Sequence, residues 1–313
     1  MSRPGLGSTP LAHQAGFAGA AARFWQRSYA ADYIALGLLV ALWTLIQLFI
    51  VPFHRMFSLD NRSIQYPFAV HERVPVAWSI FYAGVIPFCI LLIWSAMFRP
   101  GVQKTQVTVL GLLVALMLTS FLTDVVKNAV GRPRPDLLSR CIPSRGTADN
   151  ALVAWTVCTQ PDQHILQEGW RSFPSGHSSF AFSGLGYLSL FFSGQMHVYR
   201  PRTDLARCLL AFLPLLCALM IAISRLDDYR HDVYDVTCGG LLGLLVAWFS
   251  YRRYYPPLRS IRCDVPYDKS EVTTPDGFAR LGDEEQALSR SIHDGAPSEE
   301  SYALEEAEGS RGH

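Results

Sequence analysis

Ser224-Arg225-Leu226-Asp227-Asp228-Tyr229-Arg230-His231-Asp232-Val233-Tyr234-Asp235 gathers two arginines, one histidine and four aspartates between uncharged runs at Cys208–Ser224 and Val236–Tyr251. Charge pinned between two apolar runs is expensive at a membrane edge and usually marks a working site. His231 and Asp235 are four apart, so a helix through both would set them on one face. There the carboxylate can orient one imidazole nitrogen and leave the other free to react. Arg225, six residues before His231, offers a planar, forked cation suited to phosphate. The bland alternative is a charge cluster that only anchors a helix end.

Working outward, four more uncharged runs precede these two: Tyr33–Val51, Val76–Phe98, Thr105–Thr123 and Ser178–Met196. About 20 apolar residues cross a hydrocarbon core of ~30 Å as a helix. The last two runs are the shortest, and they span if the flanking charged residues form the helix ends. Lipid leaves no partner for an unpaired backbone group, so each span is expected to be helical. The expected fold is therefore all-α, a six-transmembrane-helix bundle over residues 33–251. Pro87 and Pro214 fall inside the second and fifth runs and predict kinks.

Composition agrees. Half of the 313 residues are apolar and 17% are charged, below the usual quarter. A net charge of +1 gives no reason to expect nucleic acid. The charge is uneven, because 13 acidic and 4 basic residues from Asp264 onward give −9 and leave +10 for the rest. Residues 1–32 carry no apolar core with a cleavage site and are expected to be a flexible cytosolic lead-in. Residues 252–313 are expected to be a basic juxtamembrane stretch followed by an acidic, disordered cytosolic tail.

Two further stretches carry charge beside an apolar run. One is Lys127-Asn128-Ala129-Val130-Gly131-Arg132-Pro133-Arg134-Pro135, with six residues between the lysine and an Arg-Pro pair. The other is Pro174-Ser175-Gly176-His177 at the start of the fourth run. With Ser224-Arg225, His231 and Asp235 they match, in order and spacing, the three-part signature of the type 2 phosphatidic acid phosphatase family. The chain resembles that family over roughly residues 33–251, and most of all its fungal members acting on phosphatidate and diacylglycerol pyrophosphate.

The resemblance implies a metal-independent lipid phosphate phosphatase, with no cofactor, working on phosphatidate, diacylglycerol pyrophosphate or lysophosphatidate. It implies that His231 attacks phosphorus to form a phosphohistidine, that Asp235 orients it, and that His177 protonates the leaving oxygen. Lys127, Arg134, Ser175, Gly176 and Arg225 would hold the phosphate oxygens as charge develops. Asp124, three before Lys127, is expected to steady that lysine. Asp227, Asp228 and Asp232 read as charge balance. A bell-shaped pH profile follows if His231 starts neutral and His177 charged. A related headgroup phosphotransferase would use the same residues. A transporter is the third reading, though it calls for charge spread near mid-membrane.

Arginines 99, 200, 202, 207, 252, 253, 259 and 262 and Lys104 would share one side with the N-terminal arginines, which makes that side cytosolic. The site then faces a lumen or the exterior, at an endomembrane (vacuole, Golgi or ER) or the plasma membrane. The opposite loops are basic too, through Lys127, Arg132, Arg134, Arg171, Arg225 and Arg230, and these read as phosphate ligands. Tyr66, Phe68 and Arg73 suit either a substrate entrance or simple loop packing. Asn61-Arg62-Ser63 is a glycosylation pattern that matters only in a lumenal loop. Cys141 and Cys158 share the long loop of residues 124–173, where an oxidising lumen would let them pair if they meet. Trp155 and Trp170 suit an interfacial lid or a packed subdomain.

Overall fold

The computed structural model describes Gly16, residues 28–201 and residues 203–267. Most of both terminal segments expected to be mobile lies outside these residues. The chain divides into two units, and residues 30–266 form the one that carries all the helices named below.

Its long helices are α1 (Ala30–Phe49), α2 (Val76–Phe98), α3 (Val102–Val130), α6 (Gly176–Gln195), α7 (Leu205–Asp227) and α8 (Val233–Tyr254). Two short ones, α4 (Leu137–Cys141) and α5 (Gln163–Glu168), lie between α3 and α6. Five of the six long helices are long and apolar enough to cross a membrane, which marks a multi-pass membrane protein. The sixth run expected to span, α6, is as long as α1 but is not among the five. The reason is composition. Ser178, Ser179, Ser183, Ser189 and Ser193 are buried along α6 with Gly184, Gly186 and Gly194. This helix sits against α8, α7, α3 and α2, so protein rather than lipid surrounds it. Small residues let neighbouring backbones approach, and hydroxyls bond across the gap. Thr119 donates to Ser183 Oγ at 3.0 Å, and the Thr123 and Ser179 hydroxyls meet at 2.8 Å. By contrast α1, which packs on α3, has no buried residue.

The charged stretches extend the two shortest runs, as α7 continues to Asp227 and α8 begins at Val233. Pro87 acts one turn early. It has no N–H to give to the preceding turn, and the helix widens to a π-type turn over Phe81–Val85. The Ala83 carbonyl there approaches Gly184 so closely that a Cβ would lie 1.8 Å from its oxygen. Pro214 sits within α7, which continues through it.

Beyond the helix ends that bear the charged motifs, residues 51–75 and 131–175 build a small cap. Phe57, Ile64, Leu137, Cys141, Leu166 and Trp170 form its core. Cys141 and Cys158 are joined by a disulfide. Trp170 is fully buried and donates to Arg55 O at 2.9 Å, so it belongs to a packed subdomain. Trp155 is half exposed against the His54 ring. Gly131 ends α3 in the left-handed region (φ 56°), where a Cβ would stand 1.8 Å from Phe53 O. Only glycine allows the chain to turn there and send Arg132 and Arg134 back over the bundle.

Candidate active site

A cavity of about 1050 Å³ opens between the cap and the bundle. Val76, Ile80, Phe88, Leu112 and Leu116 line its helical part. Lys127, Arg134, Gly176, His177, Arg225 and His231 line its polar part. Six of the eight residues singled out in the sequence thus share one wall, although they come from three separate stretches.

The other two stand behind that wall. Asp235 is fully buried, with Oδ2 3.7 Å from His231 Nδ1. The pairing does not arise on a helical face as the spacing suggested, because His231 precedes α8. Asp232 caps α8, and Asp235 reaches back in a capping box to accept from Asp232 N at 3.0 Å. Such a box satisfies the free donors of a helix start, and here it also carries the carboxylate to the imidazole. Ser172 Oγ donates to the same oxygen at 2.5 Å. Ser175 is also fully buried. Its hydroxyl oxygen caps α6 and its N–H donates to Asp235 O at 2.9 Å. Its amide is thus committed to Asp235, while its hydroxyl oxygen accepts from Ser178 N and Ser178 Oγ at 3.4 and 3.1 Å.

His231 is held from the other side as well. The Arg225 carbonyl, in the last turn of α7, accepts from Arg230 N at 3.1 Å and His231 N at 3.4 Å. Burial holds the imidazole down to a pKa of about 3, with Arg134 and Lys127 acting in the same sense and outweighing the pull of Asp235. His231 is accordingly neutral at neutral pH. His177 Nε2 is buried with no hydrogen-bond partner among the described residues.

The cations of the wall are steadied by groups the sequence reading left out. Lys127 donates to Arg171 O at 2.8 Å. Asp124 does not steady Lys127 through a hydrogen bond, since it accepts from Trp43, Gln47 and Arg171 at 2.7, 2.6 and 3.0 Å. Its geometry is taken up by α1 and the cap instead. Glu168 joins Arg134 at 2.8 Å to Arg171 at 3.0 Å. Burial works to raise Glu168, but Arg134, Arg171 and Lys127 prevail and hold it below the usual carboxylate range. Glu72 joins Arg225 at 2.8 Å to Arg230 at 2.9 Å. Glu72 is remote in sequence from both its partners and Glu168 from Arg134, whereas Glu168 and Arg171 are only three apart.

Arg132, read from the sequence as a phosphate ligand, turns away and bridges Asp235 at 2.7 Å and Asp232 at 3.0 Å. Asp227, Asp228 and Asp232 each pair with an arginine: Arg73 at 2.6 Å, Arg225 at 2.6 Å and Arg132. Of the segment between α1 and α2, Phe68 lines the cavity, Tyr66 stacks on Tyr229 at 4.6 Å, and Arg73 takes its place in the ion pairs. Among the described residues no group of three or more His, Cys, Asp or Glu could hold a metal ion.

A family profile described as the PAP2 superfamily matches residues 108–258, a span that holds all three charged stretches. The chain is 36% identical to the "Probable diacylglycerol pyrophosphate phosphatase 1" of Schizosaccharomyces pombe, over 80% of this chain and 88% of that protein. It is 40% identical to the "Diacylglycerol pyrophosphate phosphatase 1" of Saccharomyces cerevisiae, over 75% and 83%. "Lipid phosphate phosphatase 2" of Arabidopsis thaliana shares 36% over 79% of each chain. Identity at this level, along most of the length of each relative, places the chain in the PAP2 superfamily.

Proposed function

We propose that the chain is a metal-independent lipid phosphate phosphatase that hydrolyses phosphatidate, diacylglycerol pyrophosphate or lysophosphatidate through a phosphohistidine on His231. One observation carries the reading. A buried, neutral histidine backed by Asp235 faces a cavity that is cationic on one wall and apolar on the other. An amphiphile with a phosphate head and acyl tails suits that division, and the similar proteins described above are named as diacylglycerol pyrophosphate and lipid phosphate phosphatases.

In this reading Nδ1 of His231 faces Asp235, so Nε2 is the nitrogen that attacks. The N–P bond forms as the P–O bond to the lipid breaks. His177 gives a proton to the departing oxygen, and water then cleaves the phosphohistidine. Lys127, Arg134, Arg225 and the Gly176 end of α6 neutralise the equatorial oxygens, where fixed donors act most strongly on the transition state. Ser175 contributes by capping the helix that presents Gly176 and His177. The glutamates on Arg134 and Arg225 fix those guanidiniums before the substrate arrives.

Membrane orientation is part of the proposal. With α6 as a sixth crossing, the cap and site lie on the lumenal or exterior side. The Cys141–Cys158 disulfide in the cap supports that side, because such bonds persist in oxidising compartments.

The test is phosphate release from short-chain phosphatidate in detergent with excess chelator, comparing the wild type with His231→Ala. Release that survives chelation and disappears in the variant is the expected result. Full activity in His231→Ala, or no release from any lipid phosphate by the wild type, would overturn the assignment.

A further inference from the structure

Beside the wall that faces His231 lies a second cationic patch in the same cavity, made of residues to which the phosphohistidine mechanism above gives no role. Arg140, on α4, and Arg230, just before His231, both line the cavity and are 2% and 7% exposed. Their guanidinium carbons lie 4.7 and 4.5 Å from the centre of the Phe68 ring. An aromatic ring between two like charges offsets part of their repulsion by cation–π attraction. It also fixes the spacing of two groups that would otherwise move apart.

Their bonding is incomplete. Arg140 spends Nε on Asp136 at 2.9 Å and Nη1 on Ile165 O at 3.2 Å, and its Nη2 has no partner among the described residues. Arg230 gives Nη2 to Glu72 and Ala69 O, approaches Asp136 at 3.6 Å with Nη1, and its Nε has no partner. Buried donors without partners are rare in folded proteins, because each forfeits its hydration. Those two nitrogens are shut off from the cavity, and what the cavity meets is the rest of each guanidinium: two cations side by side on its lining, a surface suited to an anion. Asp136 lies between the two arginines, and Glu72 is shared between Arg230 and Arg225, which Asp228 also pairs. Burial works against Asp136 as well, pushing it up to about 6 against the pull of Arg134 and Arg230.

Glu72 gives the spatial relation between the two patches. One of its oxygens holds Arg225 of the first cradle and the other holds Arg230 of the second. A single carboxylate spans both, so two anionic groups separated by one bridging oxygen can occupy them together. We propose that Arg140 and Arg230, set on Phe68, form a second phosphate subsite that holds the lipid-linked phosphate of a diphosphate lipid while the terminal phosphate faces His231. This deepens the phosphatase reading and rests on it. As the His231 N–P bond forms, the bridging P–O bond breaks and its electron pair stays on the lipid's remaining phosphate. The two guanidiniums receive that charge. Water later releases orthophosphate from His231, and the atoms balance with a monophosphate lipid as the other product.

The experiment measures kcat/KM for diacylglycerol pyrophosphate and for phosphatidate of the same acyl length, in detergent, for wild type and Arg230→Gln. The expected result is a fall of at least about tenfold in the diphosphate-to-monophosphate ratio, the order seen when a charge-assisted contact is lost. An unchanged ratio would overturn the subsite, as would weaker inhibition by orthophosphate with the ratio intact, which would make the patch a product site. If Arg230→Gln does not fold, as judged by Tm, Phe68→Leu is the second variant and the ratio must fall in the same direction. Should the wild type hydrolyse neither lipid, the phosphatase reading fails separately. Titration with inorganic pyrophosphate and orthophosphate then decides the subsite: preference for pyrophosphate that is lost in the variant sustains it, and equal binding overturns it.

Discussion

Arg132 Nη1 lies 2.7 Å from Asp235 Oδ1, on the carboxylate oxygen turned away from His231. Arg132 is thus two contacts removed from the reacting nitrogen and absent from the cavity wall. Removing it leaves a fully buried carboxylate short of its strongest partner, and the orientation of His231 loosens with it. A small misplacement of a reacting group can cost about 100-fold. Arg132→Ala is expected to lower kcat roughly 10- to 100-fold with KM little changed, and Arg132→Lys to recover part of the loss. Steady-state kinetics on phosphatidate decides it, since a rise in KM at constant kcat would instead make Arg132 a phosphate ligand.

The low pKa of His231 has a consequence for stability. In the unfolded chain a histidine takes a proton near pH 6.5, whereas burial holds His231 neutral down to about 3 in the fold. Above pH 6.5 neither state is protonated and the group is neutral to stability. Below it, only the unfolded state binds the proton, so stability falls with pH until about 3. Each unit in that window costs up to about 1.4 kcal/mol. His231→Gln should flatten the fall of Tm between pH 6.5 and 4 relative to the wild type. Parallel curves would show that His231 is not held neutral. The same shift takes His231 out of the bell-shaped profile expected from its ordinary pKa, and the acid side of that profile then belongs to other groups.

Charge set at the ends of apolar runs was enough to locate the helices and bring six cavity residues into one group. That worked because an arginine or histidine beside lipid has few reasons to be there. The same reasoning was blind to partners. Arg132 looked like Arg134, because loop charge does not say which way a side chain turns. Four aspartates in one short stretch, all needing cations, were the available hint. Glu72 reaches Arg225 and Arg230, and Glu168 reaches Arg134, through cap folding, which no spacing encodes. The proximity of His231 to Asp235 followed from the spacing for the wrong reason, since a capping box stands where a helical face was expected. In α6 the serines lowered the apolar signal because that helix faces protein.

The disulfide makes a separate prediction for the cap. Cys141 and Cys158 are 17 residues apart, and closing a loop of that order stabilises by about 3 kcal/mol in the chain-entropy account. Both cysteines lie in or against the core that also holds Leu137, Leu166 and Trp170. Cys141→Ser with Cys158→Ser is expected to lower Tm by roughly 6–12 °C. The loss should appear equally in the reduced wild type. An unchanged Tm in differential scanning fluorimetry would mean that the cap is held by its apolar core alone.

Gly239 ties the packing of the bundle to the chemistry. A Cβ there would lie 2.5 Å from Ser175 O, 3.2 Å from Ser175 N and 3.3 Å from Ser178 Cβ. Backbone cannot swing aside as a side chain can, so the start of α6 must move away from α8. Ser175 O accepts the first-turn bond from Ser179 N at 3.0 Å, and Ser175 N donates to Asp235 O at 2.9 Å. Displacing Ser175 therefore disturbs the cap of α6, the position of His177 two residues on, and the element that carries Asp235. Overpacking of this kind costs about 1–3 kcal/mol, and the shift of His177 is expected to lower kcat by at least about tenfold. Gly37→Ala is the matched control, because a Cβ there meets nothing within 4 Å. A methyl at that exposed helical site should leave both Tm and kcat unchanged or raise Tm slightly, by the better helix propensity of alanine. If Gly239→Ala behaved like Gly37→Ala, the close approach of α8 to Ser175 would not be what positions His177.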